Sequence, residues 1–436
     1  MTEAAPLKWR VVRFRDVLAT GVRNGIYKPP EYHGRGAQIV NMGELFAHPR
    51  LRAVPMRRVD VDDSELDRFG LNELDLLFAR RSLVAEGAGK CSIVLEVNEP
   101  TVFESSIIRA RPKSEEADSL FLYYLWASSG GAHLLDTIRR QVAVSGITGR
   151  DLEQLQILIP PLQEQRAIAG VLGALDDKIE QNRQTAQALE RLARAIFRAW
   201  FVDFEPVKAK AAGATAFPSM PQPVFDALPT RFVDSAIGPV PEGWIPKAVS
   251  SAFEFNPVRS LRKGDLAPYL DMKNMPTEGH APESWMLREV GSGMRFMNGD
   301  TLVARITPCL ENGKTAFVDF LGDGEIAWGS TEYIVLRPKA PLPPVFAYCL
   351  ARTDEFRDFA IQNMTGTSGR QRVTPTAMDH FQIAVPTETT TVAFGEVVQP
   401  LFRCIRAGMD ESRKLAAMRD YLLPKLLSGE VGVDLQ

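Results

Sequence analysis

The sequence is poor in the residues that carry covalent and metal chemistry. Its four cysteines, Cys91, Cys309, Cys349 and Cys404, stand far apart and form no Cys-x-x-Cys or Cys/His cluster. That argues for a reducing compartment and against structural zinc. The five histidines, His33, His48, His133, His280 and His380, are isolated, with no HExxH and no carboxylate at ligand spacing. No run of about 18 apolar residues occurs, and the leading MTEAAPLKWR lacks the apolar core of a signal peptide. The expectation is a soluble, cytoplasmic chain. Neither sign of charge is in excess, with 51 basic residues against 54 acidic ones. A uniformly basic nucleic-acid binder is thereby excluded, and any such contact has to come from local clusters.

Catalytic motifs are also missing. Gly87-Ala88-Gly89-Lys90-Cys91 and Asn312-Gly313-Lys314-Thr315 look like fragments of a phosphate loop. A true one needs a glycine five residues before the final glycine and a hydroxyl after the lysine. Val84 and Pro308 occupy the glycine position, and Cys91 replaces the hydroxyl in the first copy. Both segments read as hairpin turns. Asn256-Pro257-Val258 lacks the second proline and the aromatic of the motif that holds a flipped adenine; it reads as a strand end. No pair of carboxylates can be placed on one face for acid–base work.

What the chain does have is a long seam. From Ile168, steps of 4 and 3 pass through Leu172, Leu175, Ile179, Asn182, Ala186, Leu189, Ala193, Ile196 and Trp200. Charged residues fall between them. A seam sustained for more than four heptads predicts a helix packed along one partner helix. At ~1.5 Å per residue, about 40 residues make a rod of roughly 60 Å. Asn182 is the one strongly polar seam position, a device that fixes register and partner.

The seam recurs 226 positions later as Phe394, Val398, Leu401, Ile405, Leu415, Leu422 and Leu426, with Gly408, Ser412 and Arg419 replacing Asn182, Ala186 and Ala193. Pro424 is expected to end or kink this second helix early. Two seams in one chain most simply pair with each other, as an antiparallel two-helix rod.

The rest of the chain repeats as well. Asp75-Leu76-Leu77-Phe78-Ala79-Arg80 returns as Asp300-Thr301-Leu302-Val303-Ala304-Arg305, Arg111-Pro112 as Arg337-Pro338, and Ser145-Gly146 as Ser368-Gly369. The expected fold is α+β, with two mixed globules separated by two long antiparallel helices in a pseudo-twofold repeat. The expected boundaries are a first globule at 1–159, a central helix at 160–204, a connector at 205–240, a second globule at 241–386, and a second helix and tail at 387–436. In the first globule, Gln38–Leu45, Asp75–Arg80, Ser92–Val97, Ser106–Ala110 and Leu155–Ile159 read as strands. Leu120–Ile138 reads as one helix, and GVRNGIYKPPEYHGRG as loop. The proline-rich connector predicts extended, semi-rigid backbone rather than a packed element.

Polar and basic loops occupy matching places in both globules. The first set is Arg80, Arg81 and Lys90, matched by Arg305, Thr307, Asn312 and Lys314. The second is Ser145, Thr148 and Arg150, against Ser368, Arg370, Gln371 and Arg372. A third cluster, Arg259, Lys263 and Lys273, lies in the second globule alone. Arg, Lys, Asn and Gln fork onto base edges, while backbone N–H groups and hydroxyls in glycine-rich loops suit phosphate. These residues are the expected DNA contacts.

Several stretches resemble the specificity subunits of type I restriction-modification systems. They are Pro160-Pro161-Leu162-Gln163-Glu164-Gln165-Arg166 opening the first long helix, Ala199-Trp200-Phe201-Val202-Asp203-Phe204 closing it, Asn298-Gly299-Asp300-Thr301-Leu302, and Leu422-Leu423-Pro424-Lys425-Leu426-Leu427-Ser428-Gly429. The resemblance implies two target-recognition domains on the helix pair, each reading one half of a bipartite DNA site. It implies no catalysis in this chain. The partners would be double-stranded DNA, two methyltransferase subunits and, in the full complex, two restriction subunits. S-adenosylmethionine, ATP and Mg2+ would lie on those partners, with no cofactor or metal here. The second helix departs from the family's opening, with Pro386-Thr387-Glu388-Thr389-Thr390-Thr391, which puts equal docking faces in doubt. The competing readings are a coiled-coil scaffold whose globules are spacers, and a stand-alone adenine methyltransferase or nuclease.

Overall fold

A single unbroken helix, Leu162–Phe201, follows Pro160-Pro161 in the computed structural model, and a second, Glu388–Ser428, follows Pro386. The structure describes residues 9–82, 87–140, 145–367 and 369–433. It divides into two compact units, Met1–Ile179 with Arg413–Gln436, and Glu180–Ser412. Each unit therefore holds part of both long helices. We call these the central and C-terminal helices.

The two helices pack antiparallel along the expected seam. In unit 1, Ile168, Leu172 and Leu426 are buried in one core with Phe14, Phe78, Phe121 and Trp126. In unit 2, Ala193, Ile196, Trp200, Phe394 and Val398 join Phe197, Phe201 and Phe346. Ile405 is buried too, whereas Leu175, Ile179, Ala186, Leu189, Leu401, Leu415 and Leu422 are half-buried. At the polar seam position the Asn182 side-chain amide donates to the Gly408 carbonyl (3.2 Å), Glu411 Oε2 (2.7 Å) and Ser412 Oγ (3.3 Å). Gly408 occupies the position equivalent to Asn182 itself, 226 residues on. A shift by one heptad would strip the half-buried amide of these partners, so it sets register.

Pro424 does not stop the C-terminal helix, which continues to Ser428. The expected break costs about 3 kcal/mol. Leu426 is buried in the unit 1 core, with Leu422, Leu423 and Leu427 packed half-buried against it; full burial of a leucine is worth about 1.5–3 kcal/mol, and the four together outweigh the break. Packing wins.

Both units fold on one plan. In unit 1 a sheet runs in the order Arg23–Asn24, Ile107–Ala110, Leu76–Ala79, Cys91–Val94, Arg50–Leu51. In unit 2 the order is Phe253–Phe255, Tyr333–Pro338, Thr301–Ala304, Thr315–Phe317. A second sheet in each unit pairs a parallel couple, His33–Val40 with Thr101–Phe103 and Leu266–Leu270 with Ile326–Gly329. An antiparallel pair then leads into each long helix: Arg10–Arg13 with Gln156–Ile159, and Ile245–Ala248 with Gln382–Val385.

An Asp–Arg pair stakes down each first sheet. Arg111 bonds both oxygens of the fully buried Asp75 (2.7 and 2.8 Å), and Arg337 bonds Asp300 (2.7 Å). The second carboxylate oxygen of Asp75 accepts from the Asn72 N–H, and that of Asp300 from the Met297 N–H, both at 2.8 Å.

Several local expectations are corrected. Residues 205–240 are not an extended strap: they contain helices Glu205–Ala211 and Gln222–Ala227 and bury Pro206, Val207, Met220, Val224, Phe225 and Leu228. Pro206 and Pro223 sit in the first helical turn, where the missing N–H costs nothing. The helix expected over 120–138 is two, Ser119–Ala127 and Ser129–Ile138, because Ser128 caps the second by accepting from the Gly131 N–H. The strand expected to reach Leu45 ends at Val40, and Asn41 caps a short helix, Met42–Ala47. The segment read as loop before it supplies the first half of that strand, with Gly34 and Gly36 at positive φ.

One network joins the helix pair to unit 1. Asp176, 8% exposed, accepts from the Tyr124 hydroxyl (2.7 Å) and from Arg419 Nη1 (2.7 Å). Arg419 is the residue that interrupts the second seam, and here it neutralises a buried acid. Arg419→Met is therefore expected to destabilise the protein by about 2 kcal/mol in urea titrations, less than a wholly buried pair because the guanidinium keeps some solvent. A loss under about 0.5 kcal/mol would class the pair with ordinary surface ion pairs.

Candidate nucleic-acid interface

The two sets of loops singled out in the sequence meet in each unit, at the ends of equivalent strands. In unit 1, Arg81–Ser82 pairs antiparallel with Ser145–Gly146, and the Ile147 N–H donates to the Arg80 carbonyl (3.0 Å). In unit 2, Ile306 bridges Arg372, and the Val373 N–H donates to the Arg305 carbonyl (3.0 Å). The second set adjoins an equivalent backbone pairing in both units: Arg140 and Gly146 exchange backbone hydrogen bonds (2.9 and 3.3 Å), as do Thr365 and Arg372 (2.9 and 2.8 Å). Gly366 and Gly369, between Thr365 and Arg372, have φ of 126° and 75°, conformations open to glycine at little cost.

These hydrogen bonds align Gly146 with Arg372 and Thr148 with Thr374, not Ser145-Gly146 with Ser368-Gly369. Thr148 and Thr374 are both N-caps, accepting from Asp151 and Ala377 N–H groups. The Ser-Gly match in sequence is composition of turns, three residues out of register. Ser368 lies outside the described residues. Ser145 and Thr148 are half-buried, Thr148 with its hydroxyl also donating to Asp151 (2.8 Å), and Arg150 is exposed.

The expected contacts divide by what already holds them. Lys90 Nζ donates to the Phe46 carbonyl (3.3 Å), and Lys314 Nζ to the Met272 carbonyl (2.6 Å). Each lysine is thus spent on a backbone carbonyl of its own unit, Phe46 in the helix Met42–Ala47 and Met272 just after the strand Leu266–Leu270. Arg259, 6% exposed at its side chain, is committed to Asp300 at 2.7 Å; burial and that pair take it out of reach of a ligand. Lys263, Lys273 and Asn312 are exposed and are not part of the strand-end cluster. Thr307 stitches the loops together, its N–H donating to the Gln371 carbonyl (3.1 Å) and its hydroxyl accepting from the Gln371 N–H (3.2 Å). Arg81 and Arg370 are exposed, and Arg80 is half-buried, with Nη1 on the Ser105 carbonyl (3.3 Å).

Sequence reading missed Glu332. Its carboxylate receives Arg372 through Nε (3.0 and 2.9 Å) and Nη2 (2.8 Å), and Arg305 through Nε (3.2 Å). In unit 1 the same backbone place belongs to Ser106: the Arg80 N–H donates to the Ser106 carbonyl (2.8 Å) as the Arg305 N–H does to that of Glu332 (3.0 Å). A lone acid at the head of a strand carries no periodic signal.

Residues 61–191 match the family model described as the type I restriction modification DNA specificity domain. The chain is 24% identical over 341 residues to the HindI specificity subunit of Haemophilus influenzae, covering 65% of this chain and 71% of that protein. It is 24% identical over 328 residues to the MjaIX specificity subunit of Methanocaldococcus jannaschii, covering 72% and 70%. The chain is similar in sequence to type I specificity subunits, most clearly over residues 61–191. The crystal structure of a type I restriction-modification S subunit from M. genitalium matches its fold across 100% of this chain and 99% of that one, with a TM-score of 0.58 at 14% identity.

Against that family's helix opening, the departure at the second helix has an internal explanation. In the first helix Gln165 is fully buried, its side chain accepting from the Asp118 N–H (2.9 Å) and donating to the Pro160 carbonyl (2.8 Å). Its equivalent, Thr391, is also buried and donates to the Thr387 carbonyl (2.9 Å). Gln165 thus ties its helix to the segment at Asp118, whereas Thr391 bonds only the opening turn of its own helix, so the substitution replaces a joint to the globule with a local one. Among the described residues, no helix is long and apolar enough to cross a membrane.

The Arg372 hydrogen bonds, and then Arg305, hold the Glu332 carboxyl below the ordinary glutamate range. A depressed folded value adds stability above the unfolded pKa, and that stability is lost as pH falls through the folded value. The stability difference between wild type and Glu332→Gln is thus expected to stay constant above about pH 5 and to shrink below about pH 4. Urea titrations across that range check it; a difference that grows on acidification contradicts the ion-pair assignment.

Proposed function

We propose that this chain is the non-catalytic DNA specificity subunit of a type I restriction-modification complex, each globule reading one half of an asymmetric bipartite site. The helix pair sets the spacer between the halves and docks two methyltransferase subunits. One observation carries this reading: the strand-end cluster is built twice on the same backbone hydrogen bonds with different side chains. Arg81 stands against Ile306, Gly146 against Arg372, and Ser106 against Glu332. Equal scaffolds with unequal side chains suit two readers of unlike sequences, since base edges are discriminated by side-chain donors and acceptors. A scaffold protein with idle globules gives no reason for that pattern. S-adenosylmethionine on the methyltransferase subunits, and ATP and Mg2+ on restriction subunits, would supply the chemistry.

Linked binding makes the second half-site contact intramolecular. A stiff helix pair also rejects wrong spacings, because half-sites rotate by one turn in about 10.5 base pairs. Inserting one heptad at paired positions of both helices lengthens the pair by about 10.5 Å. At about 3.4 Å per base pair, the methylated motif is expected to keep both halves and gain about three unspecified base pairs between them. Motif sequencing of the complex with this variant reads the result. A spacer of unchanged length contradicts the ruler role.

A further inference from the structure

The second strand-end cluster holds two arginines in different ways. Arg372 is held by all three of its nitrogens: Nε and Nη2 are on Glu332, and Nη1 donates to the Arg370 carbonyl (3.1 Å). Arg305 is held by Nε alone (3.2 Å), and among the described residues neither of its Nη groups has a protein partner. Its side chain is 28% exposed, beside the basic segment that ends at Arg372. Glu332 thus grips the inboard N–H of Arg305 and leaves the outboard fork free.

We propose that Arg305 is a base-reading side chain of unit 2, directed at a guanine in the major groove, and that Glu332 is the positioning residue that aims it. This rests on the reading of the chain as a DNA specificity subunit. The guanidinium fork matches the O6 and N7 acceptors of guanine. An arginine already fixed by a carboxylate loses less freedom when it docks, and discrimination gains from preorganisation. The carboxylate also argues against a phosphate role. It offsets the positive charge that would attract a phosphate while leaving the direction of the free N–H groups intact. Lys90 and Lys314, which carry a point charge without a fork, are instead spent on backbone carbonyls. The unit 1 cluster is unequal: Arg80 has Ser106 where Arg305 has Glu332, and its Nη1 already lies on the Ser105 carbonyl. The guanine therefore belongs to one half-site only.

The test assembles the complex with its methyltransferase subunits and profiles methylation on a randomised DNA library for wild type, Glu332→Gln and Arg305→Lys. Gln keeps the size of Glu332 but sets an amide against one arginine; Lys keeps the charge of Arg305 and removes its fork. Both variants are expected to lose about tenfold or more of the preference for the same single G·C pair, in one half of the motif, with the other half unchanged. Uniformly weaker methylation of every sequence, or reduced thermal stability with an unaltered motif, overturns the proposal and makes the cluster a loop staple. If Glu332→Gln does not fold, an unaltered motif with Arg305→Lys alone overturns it. A wild-type complex whose motif does not depend on this chain removes the specificity reading itself, and the inference with it.

Discussion

An apolar seam on a helix about 40 residues long cannot be left in water, and this chain makes two of them. Fully burying a leucine or isoleucine side chain is worth about 1.5–3 kcal/mol, so each seam needs a partner, and the other seam is the nearest. Everything else hangs on that pairing. Ile168, Leu172 and Leu426 close the core of one unit, and Ile196, Trp200, Phe394 and Val398 that of the other. Half-buried seam positions such as Leu175 and Leu189 make apolar burial alone a weak guide to register, since a slipped pair would lose little there. The Asn182 amide on Gly408, Glu411 and Ser412 adds the directional constraint that apolar packing lacks.

Each globule then repeats a second constraint, a fully buried aspartate tied to an arginine on the neighbouring strand. Asp75 with Arg111 and Asp300 with Arg337 fix the strands whose ends carry the candidate interface. A buried charge without its partner is costly, so those strand ends are held where they are. Rigid strand ends are a suitable base for loops whose side chains differ between the two copies.

The long seams and the repeat were legible in the sequence because both are periodic. Steps of 4 and 3, and a shift of 226, survive any local irregularity. The strands Leu76–Ala79 and Thr301–Ala304 were legible for the same reason, each framed by Asp and Arg in the same order. Prolines misled in two directions: Pro206 and Pro223 open helices rather than preventing them, and Pro424 yields to the leucines around it. The loops were located but misaligned, because serine and glycine mark turns without marking register. Lys90, Lys314 and Arg259 were singled out by charge, and only the fold shows the carbonyls and carboxylate they serve. Glu332 was invisible for the opposite reason. Its significance lies in two arginines 27 and 40 residues away.

The central claim is that two unlike readers on one helix pair specify one bipartite site. Single-molecule mapping of N6-methyladenine tests it most directly, in cells that express the cognate methyltransferase subunit with and without this chain. The account predicts a methylated motif of two unlike halves at fixed spacing, present only when the chain is. An active methyltransferase whose methylation pattern is the same in both cells would contradict it.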